Sequence, residues 1–561
     1  MNSENKVTRR SFLAAGAGTG GMVVLGGAAS VTLAGCSSGA ATSSASAGPQ
    51  PRGSKEGVNH GTPKKGGSVT IGTMAEVNGL NPSSAQWDTN GILYANTIYD
   101  PLMWVAADGT VQPYLAKSVT PNEDYTVWTM TLRPGVTFSD GSDLTPTVVK
   151  NNFAALAASP LTGQAAKGVT VAVTGPLTLT YSLDQPRPHF PFAFTTQGGY
   201  VVGQAMLDQA AAGKTIAPVG TGPFVLSSWV PNSHFVATRN SNYWQSGLPH
   251  LDQVTFMPIP DSSQRASSLL SGGIDLMVTT DPTSINELTG RPQYLLIDSL
   301  SGVIGEPTVS SIVLNTAAAP TNDLRIRQAL AKAIDVKAVL RVFSGGLTTP
   351  IDGLFLPGSP YYSDTKYPTY DPAAAKALVN DHKAQHGAPS LTLSAVTDPR
   401  FESLVEVVQQ MWSQVGLVVK LSVLEPAELI SNLVTGHFQA AVIYQYGAVD
   451  PDLNYDWFSS TTTGGGGSLA LNFSRNSDPR IEAALQEGRT TTDQATRDTA
   501  YKELDDRLAT DLPNLWLAQV PFAAVGDRRV QNFAGLTLPD GTPGYGFDEG
   551  VFFPSQMWLN S

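Results

Sequence analysis

A single cysteine, Cys36, stands in the 561 residues, so no intrachain disulfide and no cysteine-built zinc site can form. Basic residues are also scarce. The chain has 34 Lys and Arg against 46 Asp and Glu, a formal net charge of −12. That balance argues against a nucleic-acid partner, because phosphate binding needs clustered cations, and against broad adsorption to anionic membrane surfaces. The seven histidines are scattered, with no cluster suited to acid–base work. His382 and His386 have the spacing of two ligands on one helix face. No glutamate lies between them, and they sit at a polar helix end beside Gly387, so the sequence predicts a solvated pair and no metal site. Asp505 and Asp506 are likewise expected to be solvated on a charged helix face. Two motif matches carry no chemistry. Gly16, Gly18 and Gly21 match a dinucleotide fingerprint but follow no strand, and Gly35-Cys36-Ser37-Ser38-Gly39 matches a nucleophile elbow only in form. No catalytic constellation and no cofactor motif remain, so the sequence predicts no enzyme.

What is present begins with an address. Thr8-Arg9-Arg10-Ser11-Phe12-Leu13 is a twin-arginine sequence, followed by a small, apolar, glycine-rich stretch that ends at Leu33-Ala34-Gly35-Cys36. This end resembles a bacterial lipobox, so residues 1–36 are expected to be a Tat-type lipoprotein signal, cut before Cys36 with a lipid on its thiol. Without this segment the remainder carries −14, since Lys6, Arg9 and Arg10 outnumber Glu4 by two. Residues 37–65, rich in Ser, Ala, Gly and Pro, cannot bury a core and read as a disordered tether. The protein is therefore expected outside the cytoplasm, held at the outer face of the cell membrane. No later run of 18 or more apolar residues predicts a span.

The body is too long for one hydrophobic core, so at least two lobes are expected. Strands are predicted at 67–72, 125–132, 177–183 and 254–257. In 125–132, Trp128, Met130 and Leu132 alternate with Val127, Thr129 and Thr131, the pattern of a half-buried strand. From about residue 320 helices alternate with strands. Asn322 or Asp323 can cap a helix through Ile326 and Leu330, and Asp371-Pro372 can open another that Gly387 stops. A strand at 391–396, a helix with Leu404, Val408, Met411 and Trp412, a strand at 417–424 and a strand at 438–444 predict an α/β lobe with a parallel sheet. Residues 480–508 read as helical, and 460–468, with its run of glycines, as a mobile loop.

Four segments, in order along the chain, resemble the extracellular solute-binding proteins of ABC importers, family 5, the oligopeptide, dipeptide and nickel binding group. They are 111–120 with 125–142; Pro218-Val219-Gly220-Thr221-Gly222-Pro223-Phe224 with 239–244; Ser271-Gly272-Gly273-Ile274-Asp275-Leu276; and Leu314-Asn315-Thr316 with 323–335. The resemblance implies an α/β, two-lobe periplasmic-binding-protein-like fold (type II, large cluster C form) with an inserted β-rich domain. It implies a first lobe at 66–100, 195–312 and 530–561, an insert at 101–194, and a second lobe at 313–529, with hinge crossings near 312 and 529. A small-molecule or peptide ligand would be captured between the lobes and passed to permease subunits in the membrane. Peptide is the first expectation, oligosaccharide or metal chelate the alternatives. A sensing-only receptor and a secreted hydrolase are the rival readings, and a monomer is expected. The ligand-reading residues are placed in the loop with Gln86, Trp87 and Asp88 and in the segment with Tyr444, Tyr446, Asp450 and Trp457, where aromatics leaving a strand end would wall a cleft. Peptide binders of the family often carry an aspartate three positions before the acid of the Asp450-Pro451 step, to pair the peptide's α-amino group. Here that position is Gly447. Either Asp450 or Asp88 takes over, or the ligand is not a free-amino peptide.

Overall fold

The structure, a computed structural model, describes residues 59, 61–159, 162–214, 217–300, 302–464 and 470–560. The expected signal, Cys36, nearly all of the tether and part of the 460–468 loop lie outside the described residues. Among the described residues no helix is long and apolar enough to cross a membrane.

Three sheets organise the body. Seven strands hydrogen-bond in the order Tyr294–Asp298, Ala523–Asp527, Leu276–Thr279, Ser68–Thr73, Gln253–Pro258, His234–Arg239, Phe224–Val230. Five form a second sheet in the order Val418–Leu424, Ser390–Val396, Ala440–Gln445, Val309–Leu314, Asn514–Gln519. Four more, Ala116–Pro121, Val127–Leu132, Thr178–Leu183 and Val169–Val173, make an antiparallel sheet. Strand pairing puts the two passages between the large sheets at 299–308 and 520–522, a few residues before the expected 312 and 529. The four-stranded sheet shares one apolar cluster with the seven-stranded one: Trp128, Met130 and Leu132 pack in the same core as Val69, Ile71 and Phe256. The second lobe has its own core around Trp412, whose indole Nε1 donates to Leu330 O at 3.0 Å.

Helix starts follow one local rule. Asp281, Asp371, Asp398 and Asp478 each precede a proline, and each carboxylate accepts a first-turn N–H (from Ser284, Ala374, Arg400 and Arg480). The side chain satisfies a donor the helix leaves orphaned, and proline needs none at that position.

Three expectations change. The strand predicted at 125 starts at Val127, because Tyr125 sits at φ +56° in the preceding turn. The helical stretch 480–508 is two helices, Pro479–Thr490 and Gln494–Asp511, since Asp493 caps a second start. The second sheet is mixed: Val309–Leu314 runs antiparallel to both neighbours, because it leads away from one crossing while Ala440–Gln445 and Asn514–Gln519 return toward the crossings.

Candidate functional site: the loops at the lobe crossings

Both sheets end their strands at the crossings. Ser68–Thr73, Gln253–Pro258 and Leu276–Thr279 are parallel, and Thr279 and Asp298 both pair with Ala523, the first strand residue after one crossing. In the other sheet Ser390–Val396, Val418–Leu424 and Ala440–Gln445 are parallel, and Gln445 pairs with Val309, the first strand residue after the other crossing. The loops at these carboxyl ends (74–88, 280–281, 397–399 and 446–457) therefore gather beside the crossings, where open α/β sheets place their ligands.

In the first loop Trp87 is half-buried. Its Nε1 donates to Gly79 O at 2.9 Å, and its ring stacks on Tyr99 and meets Tyr200 edge-on. Gln197 pins the loop by donating to Pro82 O and Ala85 O, both at 2.7 Å. Gln86 is exposed. Asp88 caps the helix Thr89–Ile98, accepting from Gly91 N at 3.0 Å and Asn90 Nδ2 at 2.9 Å. On the other lobe Tyr446 is 43% exposed, and its ring lies 6.2 Å from that of Trp457. Burial, then the charge of Asp88, raises the Tyr446 hydroxyl's pKa.

A second contact joins the lobes directly. Arg400, in the first turn of the helix Pro399–Gln414, donates from Nη1 to Thr280 O at 3.2 Å. Tyr444 lies beside it, 5.6 Å from the Phe401 ring; burial raises its hydroxyl's pKa and the Arg400 charge opposes that shift.

Asp450 is buried and its charge is spent. Arg497 Nη2 lies 2.7 Å from Oδ1, His189 Nδ1 lies 2.9 Å from Oδ2, and Asp452 N donates to Oδ1 at 2.9 Å. Burial alone would raise this carboxyl's pKa, but the His189 hydrogen bond and the Arg497 charge hold it below the usual range. Near it runs the crossing 306–308, which bonds to the 446–450 loop from both sides: Glu306 N donates to Ala448 O at 2.8 Å, Ala448 N to Glu306 O at 2.9 Å, and Gly447 N to Thr308 Oγ1 at 2.9 Å. Thr308 N in turn donates to the Glu549 carboxylate at 2.6 Å, which ties the crossing to the C-terminal segment. A Cβ at Gly447 would overlap Glu306 O and lie 2.7 Å from Pro307 C and Thr308 N. The glycine is thus where the loop backbone touches the crossing. The Glu306 side chain is buried with neither carboxyl oxygen hydrogen-bonded among the described residues, and burial, then the Asp450 charge, pushes its pKa well up.

The predicted residues therefore divide. Tyr446 and Trp457 pair on one lobe, while Asp88 caps a helix on the other beside the half-buried Trp87; Tyr444 stands with Arg400 and Thr280; Asp450 belongs to a buried ion network. The sequence reading missed Arg400, Thr280, His189, Arg497 and Glu306. Arg400 alone had a visible signal, since it follows a parallel strand's carboxyl end at a helix start. Three residues predicted to be solvated are partly or fully buried. Asp505 is fully buried beneath 352–363, where it accepts from Leu354 N at 3.0 Å and burial pushes its pKa up to about 7. Asp506, beside it, is half-buried and accepts from Ser363 Oγ at 2.9 Å. His382 is 7% exposed, because Asp323 approaches from the helix Leu324–Ala333 to within 2.9 Å of its Nδ1.

Residues 110–466 match the family model of the bacterial extracellular solute-binding proteins, family 5. Among curated relatives, the nickel-binding periplasmic protein of Escherichia coli (strain K12) is 28% identical over 499 residues, covering 83% of this chain and 91% of that protein. The glutathione-binding protein GsiB of Salmonella paratyphi A is 25% identical over 499 residues, covering 86% and 94%. The fold matches that of AgaA from A. tumefaciens R10, solved in complex with agropinic acid (TM-score 0.78, 23% identity, 88% of this chain and 99% of that one). It also matches the periplasmic binding protein DppA of Helicobacter pylori in complex with peptide STSA (TM-score 0.77, 21% identity, 89% and 99%). With its two sheets closing their strand ends on paired crossings and its sequence matched across both lobes, this chain belongs to the family 5 extracellular solute-binding proteins, the extracytoplasmic, non-enzymatic components that capture substrate for ABC importers.

Proposed function

We propose that this binding protein, exported by the twin-arginine signal and lipid-anchored through Cys36, delivers to its permease a carboxylate-bearing ligand of peptide size whose amino group is blocked. The lobes are taken as 66–100, 195–298 and 523–561 for the first and 309–519 for the second, with the insert at 101–194. The ligand lies between Asp88, Tyr446 and Trp457 on one side and Tyr444 and Arg400 on the other. The observation that carries this reading is the state of the acids. A free ammonium bound out of water needs a counter-charge, and leaving it unpaired costs several kcal/mol. At position 447 a side chain has no room. Asp450 is held by Arg497 and His189, and Asp88 is held as a helix cap. Arg400, by contrast, is a cation with a single inter-lobe bond to a carbonyl and a long 3.6 Å approach to Asp398, at a helix N-terminus that itself favours an anion. The names of the relatives span nickel, glutathione, a peptide and agropinic acid, so membership in the family leaves the ligand open.

The test is calorimetry of the full-length protein with short peptides and their N-acetylated forms. Acetylated peptides should bind at least as tightly as free ones. Arg400→Ala should lose about 10- to 100-fold, the worth of a hydrogen bond to a charged group. Binding that acetylation abolishes would overturn the ligand assignment. Cys36→Ser should move the protein from the membrane to the soluble fraction; retention on the membrane would overturn the anchor.

A further inference from the structure

The structure places a carboxylate beside the histidine pair, on the second lobe and apart from the crossings. His382 and His386 are one turn apart at the C-terminal end of the helix Pro372–His386, with ring centroids 4.9 Å apart. Asp323 caps the neighbouring helix Leu324–Ala333, and its Oδ2 lies 2.9 Å from His382 Nδ1. One ligand atom from each of Asp323, His382 and His386 lies within 4.8 Å of the others. The three border a groove of about 500 Å³ that also runs past Ala319, Pro320, Asn322, Ala388, Pro389 and Ser390.

We propose that this is a site for a borderline divalent transition-metal ion of the zinc, nickel or copper class, with His382 Nε2 and His386 as ligands and Asp323 as the group that positions His382. A carboxylate on Nδ1 selects the tautomer that carries its hydrogen there, leaving the Nε2 lone pair to face outward. This is the arrangement that orients metal-ligating histidines. His382 Nε2 makes no hydrogen bond among the described residues. The carboxylate is itself held rigid by Arg325, whose Nη2 lies 2.7 Å from Oδ2 and whose backbone N donates to Oδ1 at 2.9 Å. Because that guanidinium neutralises Asp323, its part is to orient, not to be the principal anionic ligand. The favourable field comes from elsewhere: the helix C-terminus carries partial negative charge and draws a cation. Two nitrogens each about 2.1 Å from one ion stand about 3.4 Å apart. His386 is exposed, which leaves its side chain free to turn to that spacing. The remaining positions stay open to water or to a chelating molecule in the groove. Imidazole nitrogen suits these ions, whereas calcium and magnesium ask for oxygen ligands.

The test is equilibrium dialysis of the full-length, chelator-treated protein against Zn(II) alone, with metal measured by mass spectrometry. One equivalent should bind. His386→Ala should weaken binding at least tenfold. Asp323→Asn, which keeps the helix cap, should weaken it tenfold or more through loss of the orienting charge. His437→Ala, on another exposed histidine, should change nothing. X-ray absorption at the zinc edge should show two imidazoles. Absence of zinc binding, binding unchanged in His386→Ala, or a coordination shell without imidazole would each overturn the assignment. Zinc held between the lobes would survive His386→Ala and so count against it.

Discussion

Replacing Gly447 by aspartate installs the residue that amine-binding relatives are expected to carry, and the geometry says the protein will reject it. The first atom added, Cβ, overlaps Glu306 O and stands 2.7 Å from Pro307 C and Thr308 N, all backbone atoms of the crossing. Backbone on both sides cannot swing away as a flexible side chain would, so the loop must lift. Overpacking of this kind costs about 1–3 kcal/mol. Lifting also breaks Gly447 N to Thr308 Oγ1, worth about 0.5–1.5 kcal/mol. Gly447→Ala should therefore destabilise by roughly 1.5–4.5 kcal/mol on those two counts. Gly447→Asp should cost more, because its charge lands beside the Glu306 and Asp450 pair. Urea unfolding followed by tryptophan fluorescence reads this as a lower midpoint at unchanged slope. If Gly447→Asp unfolds at the wild-type midpoint, the loop does not rest on the crossing as described. If it also gains affinity for free-amino peptides, the reasoning about the ligand fails with it.

Asp450→Asn should cost about 3–5 kcal/mol in the same assay, since it strands the buried Arg497 charge, whereas Asp88→Asn keeps a competent helix cap and should stay within about 0.5 kcal/mol; equal effects would remove the distinction between a buried, ion-paired acid and an exposed helix cap. Asp100 and Asp505, pushed up to about 7 by burial, and Glu306, pushed well up, all hold protons in the folded state that the unfolded chain has released. Their folded values lie above the unfolded ones, so their contribution to stability is complete below about pH 4 and is lost as pH rises toward 7. Unfolding midpoints of wild type and Glu306→Gln should accordingly diverge between pH 5 and pH 8 in favour of the variant, and a constant difference would show that Glu306 does not titrate in this way.

The elements were legible because their causes are local. The Asp371-Pro372 step announced a helix start, and the alternation of Trp128, Met130 and Leu132 announced a strand with one buried face. Gly220 and Gly222 stood out in the sequence only as part of a family-like segment. The structure supplies the reason, the backbone of Ile98, and Thr221 between them bonds Asp100 at 3.1 Å. The glycine at 447 was likewise visible as a departure, though not its reason. Where the reading failed, the cause was a residue remote in sequence. Asp323 buries His382 from 59 positions away, Arg497 claims Asp450 from 47 positions away, and the segment at 354 covers Asp505 from 151 positions away.

Composition and local pattern thus determined the class of molecule: an acidic body with no intrachain disulfide, α/β lobes, and the family its motifs resemble. Each of these depends on residues near one another in the chain, or on sums over all of them. The tertiary structure alone decided which acids are free to meet a ligand, which histidine carries a carboxylate on its Nδ1, and why position 447 is glycine. Those properties depend on desolvation and on distances of about 3 Å between groups that only the closed topology of the two sheets brings together.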